Sequence, residues 1–183
     1  MEKVAVYPGS FNPLHKGHLA IVRFLLSEMG FDKVRLIVSP HNPLKATADP
    51  SSARARFNAA QEAASRVADL AIEVDDIELT MDDPQYTCRT LEALREAHPL
   101  ESHVLTIGAD QLADFRRWRD YGRILTEWGV VAFPREGYDI RAAAQSLREE
   151  DPRFRIEIAD FEMVNISSSD IRSGAVDRLS NIW

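Results

Sequence analysis

A chain of 183 residues with 45% hydrophobic content has the size of one globular domain, able to bury roughly 70% of its unfolded surface without staples. A net charge of −7 argues against a broad nucleic-acid surface, which needs clustered Lys and Arg. The single cysteine, Cys88, excludes an intramolecular disulfide and a zinc–cysteine cluster. No apolar stretch approaches the ~20 residues that span a bilayer, and Met1-Glu2-Lys3 runs straight into a strand pattern, so the expectation is an unexported cytoplasmic protein with no membrane partner.

Apolar β-branched runs alternate with helix-period segments along the chain. Residues 3–7 read as a strand, Leu14 to Met29 as a helix closed by Gly30 with Leu19, Val22, Leu26 and Met29 on one face, and Val34 to Val38 as a second strand. A polar, proline-marked loop over 40–50 leads into an Ala- and Arg-rich helix over 51–67, in which Arg54 and Arg56 read as ion-paired helix residues. Strands are expected over 71–74 and 78–80, a helix over 87–97 and a strand over 103–107. Short helices over 110–115 and 119–125 flank a turn at Trp118; a strand over 130–133, a helix over 140–149 and a strand over 155–158 follow. Ser167 suits an N-cap for the turn carrying Arg172. Strand and helix alternation with right-handed crossovers gives an α/β fold: a doubly wound, Rossmann-like parallel sheet in a single domain, 1–183.

The first strand ends in Tyr7-Pro8-Gly9-Ser10-Phe11-Asn12-Pro13-Leu14-His15-Lys16-Gly17-His18, the place where an α/β sheet binds small anions. Gly9 and Gly17 let backbone approach a ligand, and the following helix offers unpaired N–H groups and the positive end of its dipole. His15 and His18 are three apart, a spacing that suits one helix face, a structural pair or two metal ligands. With no HExxH, no Cys cluster and no third ligand in sight, the flanking residues favour phosphate, and no metal site is assigned. The P-loop and the GxGxxG fingerprint are both missing, which argues against Walker-type NTPases and nicotinamide dehydrogenases. Lys16, His18, Lys45, Arg135 and Arg172 could supply a local positive pocket. Ser167 to Ser169 with Arg172 group hydroxyls, N–H groups and a guanidinium at one helix start, which suits triphosphate oxygens. Asp110 reads either as an N-cap or as an acceptor for a ribose, Trp118 as core or as a stacking plane, and Cys88 as inert packing.

Two segments carry a family resemblance. Gly9-Ser10-Phe11-Asn12-Pro13 with His15-Lys16-Gly17-His18 resembles the HxGH signature of the nucleotidyltransferase superfamily, and Ile166-Ser167-Ser168-Ser169-Asp170-Ile171-Arg172 resembles its C-terminal ISSTxxR signature. Pro40 to Lys45, Tyr86 to Leu91, Ile107 to Leu112 with Phe115 and Trp118, and Phe133 to Gly137 are similar, in the same order, to bacterial nicotinate-nucleotide adenylyltransferases. The chain departs from them at Arg89, where they carry Asp, and ends at Trp183 where they usually continue.

The resemblance implies an enzyme that moves AMP from ATP to nicotinate mononucleotide, with pyrophosphate as the second product. It implies His15, His18 and Arg172 as catalytic groups, and an ATP site drawn from Gly9, Ser10, Phe11, His15, His18, Gly108, Asp110, Ile166, Ser167, Ser168 and Arg172. The mononucleotide falls to Ser10, Asn12, Lys45, Thr87, Trp118, Arg119 and Arg135. Mg²⁺ is expected to arrive with ATP, held by phosphates and water, and self-association is left open. The alternatives are a phosphopantetheine adenylyltransferase-like enzyme, which shares the Tyr7 to Phe11 pattern but usually has Thr at the His15 position, and a nucleotide-binding protein of reduced catalytic power.

Overall fold

The computed structural model describes residues 1–40 and 50–162. Their elements run β1 (Glu2–Gly9), α1 (Lys16–Ser27), β2 (Lys33–Val38), α2 (Pro50–Ser65), β3 (Ile72–Asp75), α3 (Ile77–Thr80), α4 (Thr87–Ala97), β4 (Glu101–Gly108), α5 (Ala109–Ala113), α6 (Tyr121–Arg123), β5 (Val130–Phe133), α7 (Ile140–Glu150) and β6 (Ile156–Ile158). A 3₁₀ turn over Phe115–Arg117 follows α5, and a wide turn over Ile124–Trp128, in which Gly129 N–H donates to the Ile124 carbonyl at 2.9 Å, links α6 to β5.

The strand order is β3-β2-β1-β4-β5-β6. Strands added outward from β1 in both directions make the sheet doubly wound, and the sequence-based fold class is borne out. Val4, Ala5 and Val6, Leu36 to Val38, and Val130 to Phe133 are all buried, the continuous apolar strands expected of a parallel sheet. Residues 1–7 pack with 82–162 as one compact unit, and 8–40 with 50–81 as another.

In the first unit β1 pairs with β4, β4 with β5 and β5 with β6, all parallel. In the second, β2 pairs with β3, Arg35 opposite Glu73 and Ile37 opposite Asp75. Arg35 is fully buried, with Glu73 at 3.0 Å and Asp75 at 3.5 Å. Burial opposes ionisation of Glu73, but hydrogen bonds and charge from Arg35 and Lys33 prevail and hold its carboxyl below the usual range.

Three expectations need correcting. Residues 78–80 are helical, not a strand: the Asp75 carboxylate accepts from Ile77 N–H at 2.8 Å and the Asp76 carbonyl from Leu79 N–H at 2.8 Å, turning the chain directly after β3. In α1 Leu19, Val22 and Leu25 are buried while Leu26 and Met29 are only half-buried, so the covered face is centred on Val22 and takes in Leu25, which was not expected there. Among the described residues Arg56 has no ion-pair partner, whereas Arg54 pairs with Asp76 at 2.6 Å. Arg56 is buried beside Ala53, Ala60 and Ala63, one face of α2, and donates to backbone carbonyls.

Candidate active site

His15 is the N-cap of α1, in extended conformation. Its Nδ1 accepts from Gly17 N–H at 3.1 Å, and its own backbone N–H donates to His18 Nδ1 at 3.2 Å. Each imidazole therefore spends Nδ1 as an acceptor and, when neutral, carries its proton on Nε2. The rings lie 3.8 Å apart at 30°, and Phe11 meets His18 edge-on at 5.1 Å. Burial, and then the neighbouring His15, hold the His18 pKa well below its ordinary 6.5. His18 is thus held as a neutral Nε2–H donor, and His15 likewise presents Nε2 for donation, beside the end of β1.

Gly9 is required by the protein itself. A Cβ there would stand 3.0 Å from the ring of Phe11, a residue that is 1% exposed and adopts a left-handed φ of 43°. The loop is held from below: Arg56 donates to the Ser10 carbonyl at 2.6 Å and to the Ser39 carbonyl at 2.9 Å, while Ser39 N–H donates to the Gly9 carbonyl at 3.0 Å. Arg56 thereby ties the ends of β1 and β2. Sequence reading missed it, although its 53-56-60 spacing on an alanine-lined face was available as a signal. Asn12 lies in the same loop, half-buried.

In the unit holding β4, Gly108 caps α5 and its N–H donates to Gln111 Oε1 at 2.9 Å. Asp110 is therefore inside the helix and not its N-cap. Its Oδ1 lies 2.5 Å from where a Gly108 Cβ would be, so only glycine leaves room for this rotamer. Oδ1 is buried without a hydrogen-bond partner among the described residues, and Oδ2 faces Arg135 Nη1 at 3.5 Å. Burial drives the Tyr7 phenol upward, against the charge of Arg135.

Trp118 is half-exposed and stacked on buried Phe115 at 4.7 Å, so it is a presented plane and not ordinary core. Arg119 lies 5.9 Å over the Tyr86 ring, and Thr87 opens α4, half-buried. Cys88 is buried, its thiol 3.7 Å from Asp120; burial and then the Asp120 charge push its pKa up, away from nucleophile behaviour. Arg89 points back along the chain, donating to the Asp82 and Pro84 carbonyls at 3.2 and 2.9 Å.

The structure thus gathers Gly9, Ser10, Phe11, His15 and His18 in one cluster and Gly108, Asp110 and Arg135 in another, with Trp118, Arg119 and Thr87 around the start of α4 in the latter's unit. Lys45, Ile166, Ser167, Ser168 and Arg172 lie outside the described residues. Among the described residues no helix is long and apolar enough to cross a membrane.

Because His18 is held neutral in the fold, the unfolded chain binds the extra proton as pH falls through 6.5. Stability is therefore expected to drop on acidification below that point, by at most about 1.4 kcal/mol per pH unit. Denaturant titrations between pH 7.5 and 5.5 check this; a His18→Gln variant should show a shallower slope.

A parallel α/β sheet with a glycine-opened first strand end and a histidine pair in donor form is the frame of a nucleotidyltransferase. The cytidylyltransferase-like family matches residues 6–174. A Bacteroides fragilis protein named "Probable nicotinate-nucleotide adenylyltransferase" is 34% identical over 93% of this chain and 80% of its own length. A Porphyromonas gingivalis protein of the same name is 32% identical over 92% and 82%. The solved Plasmodium falciparum nicotinic acid mononucleotide adenylyltransferase complexed with NaAD superposes with a TM-score of 0.75 over 100% of this chain and 91% of that one, at 16% identity, a likeness of fold. The chain belongs to the nicotinate-nucleotide adenylyltransferases of the cytidylyltransferase-like family. The resemblance read from the sequence is borne out, and the chain is a nucleotidyltransferase enzyme acting on small nucleotides.

Proposed function

We propose that the chain moves AMP from ATP to the phosphate of nicotinate mononucleotide, giving nicotinate adenine dinucleotide and pyrophosphate, a step of NAD synthesis. The observation that carries this is the His15–His18 pair, whose Nδ1 atoms are spent in the helix cap so that both Nε2 positions are left to donate, with His18 held neutral. The acceptor phosphate has a second pKa near ~6 and is largely a dianion at neutral pH, so it needs no general base. One of its oxygens attacks the α-phosphorus in line, the bond from that phosphorus to the bridging oxygen breaks, and the bond pair leaves with pyrophosphate. The protein's task is to hold two anions together and to stabilise the charge spread over the transferring group.

In this assignment His18 and His15 donate to the transferring phosphate, and Gly108 and Asp110 take the adenosine ribose. Ile166, Ser167, Ser168 and Arg172 serve the β- and γ-phosphates. Lys45, Arg135, Ser10 and Asn12 serve the mononucleotide, and its pyridine ring stacks on Trp118 between Thr87 and Arg119. Mg²⁺ enters as part of the ATP substrate. Residues 1–183 work as one catalytic domain, in the cytoplasm, on small-molecule substrates without nucleic acid or membrane.

A nicotinate carboxylate only accepts hydrogen bonds, so a pocket of donors around Thr87 and the Trp118–Arg119 backbone would leave a nicotinamide NH₂ facing donors. Incubation with ATP and each acceptor, with products weighed by mass spectrometry, tests the reading. Nicotinate mononucleotide is expected to exceed nicotinamide mononucleotide about a hundredfold in kcat/KM. Trp118→Ala should raise the mononucleotide KM and leave the ATP KM nearly unchanged. Adenylylation of phosphopantetheine, or no product with any acceptor, would overturn it.

A further inference from the structure

The Asp110–Arg135 pair has a geometry that a merely structural ion pair would not need. Asp110 Oδ2 faces one Arg135 nitrogen at 3.5 Å, and the two side chains are 31% and 59% exposed. One long contact between exposed groups is weak and easily exchanged. The other carboxylate oxygen, Oδ1, is buried over Gly108 with no hydrogen-bond partner among the described residues. A lone buried acceptor is costly to leave unmade, and a vicinal diol, with two O–H donors, matches a carboxylate that has one idle oxygen and one weakly held.

We infer that the Asp110–Arg135 pair is an exchangeable clasp that couples the two substrates: the ATP ribose takes the carboxylate, and the released guanidinium takes the acceptor's anion. The inference rests on the substrate assignment proposed above. Before ATP arrives, Arg135 is partly neutralised and Asp110 repels the dianionic mononucleotide. The two ribose O–H groups then draw the carboxylate's lone pairs away from Arg135, whose five donors become available to an anion. Each substrate therefore prepares the site for the other, and the coupling must be equal in both directions.

The test measures binding of nicotinate mononucleotide to the full chain with and without saturating α,β-methylene-ATP. The wild type is expected to bind the mononucleotide roughly five- to fiftyfold tighter with the analogue present, and the analogue to gain by the same factor from the mononucleotide. A 2′,3′-dideoxy form of the analogue, which binds without the diol, should give a ratio near one. Asp110→Asn should bind the mononucleotide alone more tightly than wild type and also lose the ratio; Arg135→Ala should lose the ratio without that gain. Retention of the ratio in Asp110→Asn or with the dideoxy analogue, or independent binding of both ligands to wild type, would overturn the clasp. Failure of wild type to bind either ligand would instead overturn the substrate assignment, and the clasp with it.

Discussion

His18→Ala is expected to fold and to bind both substrates while losing roughly a hundred- to a thousandfold in kcat, the usual effect of deleting one transition-state donor. The neutral tautomer is the reason for so large an effect. With Nδ1 accepting from the His15 N–H at 3.2 Å, Nε2–H is fixed as a donor before any substrate arrives, and no reorganisation is needed as charge develops. The same deletion removes half of the helix cap and should lower stability by about 1 kcal/mol. Single-turnover rates at saturating ATP, set beside a denaturation curve, separate the two effects. A folded variant with near-normal turnover would remove His18 from the chemistry.

Arg56→Ala should be the most damaging change away from the substrates. Its guanidinium holds the Ser10 and Ser39 carbonyls at 2.6 and 2.9 Å from a buried position on α2. Hydrogen bonds from a charged group contribute about 1.5–3 kcal/mol each, and two part-buried carbonyls would lose their guanidinium donor. Unfolding free energy should fall by about 2–4 kcal/mol, and kcat/KM by more than tenfold even at a temperature where the variant is fully folded, because the Gly9–Phe11 loop loses its support. Arg56→Lys keeps the charge but cannot fork to two acceptors, and should recover only part of either loss. A variant that loses stability but keeps full activity when folded would show that the clamp does not position the loop.

Most of the sheet is legible in the amino-acid pattern alone. Strands β1 and β5 announce themselves because a parallel strand buried on both faces reads as a continuous apolar run, as Val4 to Val6 and Val130 to Phe133 do. The clustering of His15 with His18 follows from their spacing beside a strand end. Residues 78–80 mislead because Ile77-Glu78-Leu79-Thr80 alternates as a strand does, while the deciding interactions come from Asp75 and Asp76 just upstream. Arg56 misleads for a related reason: a cation on an Ala- and Arg-rich helix reads as ion-paired unless its register with Ala53 and Ala60 is weighed. Arg89, where the relatives carry Asp, is exposed and closes a turn on the Asp82 and Pro84 carbonyls, a use that its charge alone does not announce. The idle oxygen of Asp110 and the imidazole tautomers depend on atoms that no spacing rule reports.

The reciprocal cap of α1 makes the first turn of one helix and the proposed reacting centre the same set of atoms. Fraying of that turn, an event far smaller than unfolding of the chain, releases His15 Nδ1 from Gly17 and His18 Nδ1 from the His15 N–H at once. Turnover is then a local thermometer. On slow heating, activity should fade several degrees before the bulk of the chain melts, and ligands that brace the turn should move the first temperature much more than the second.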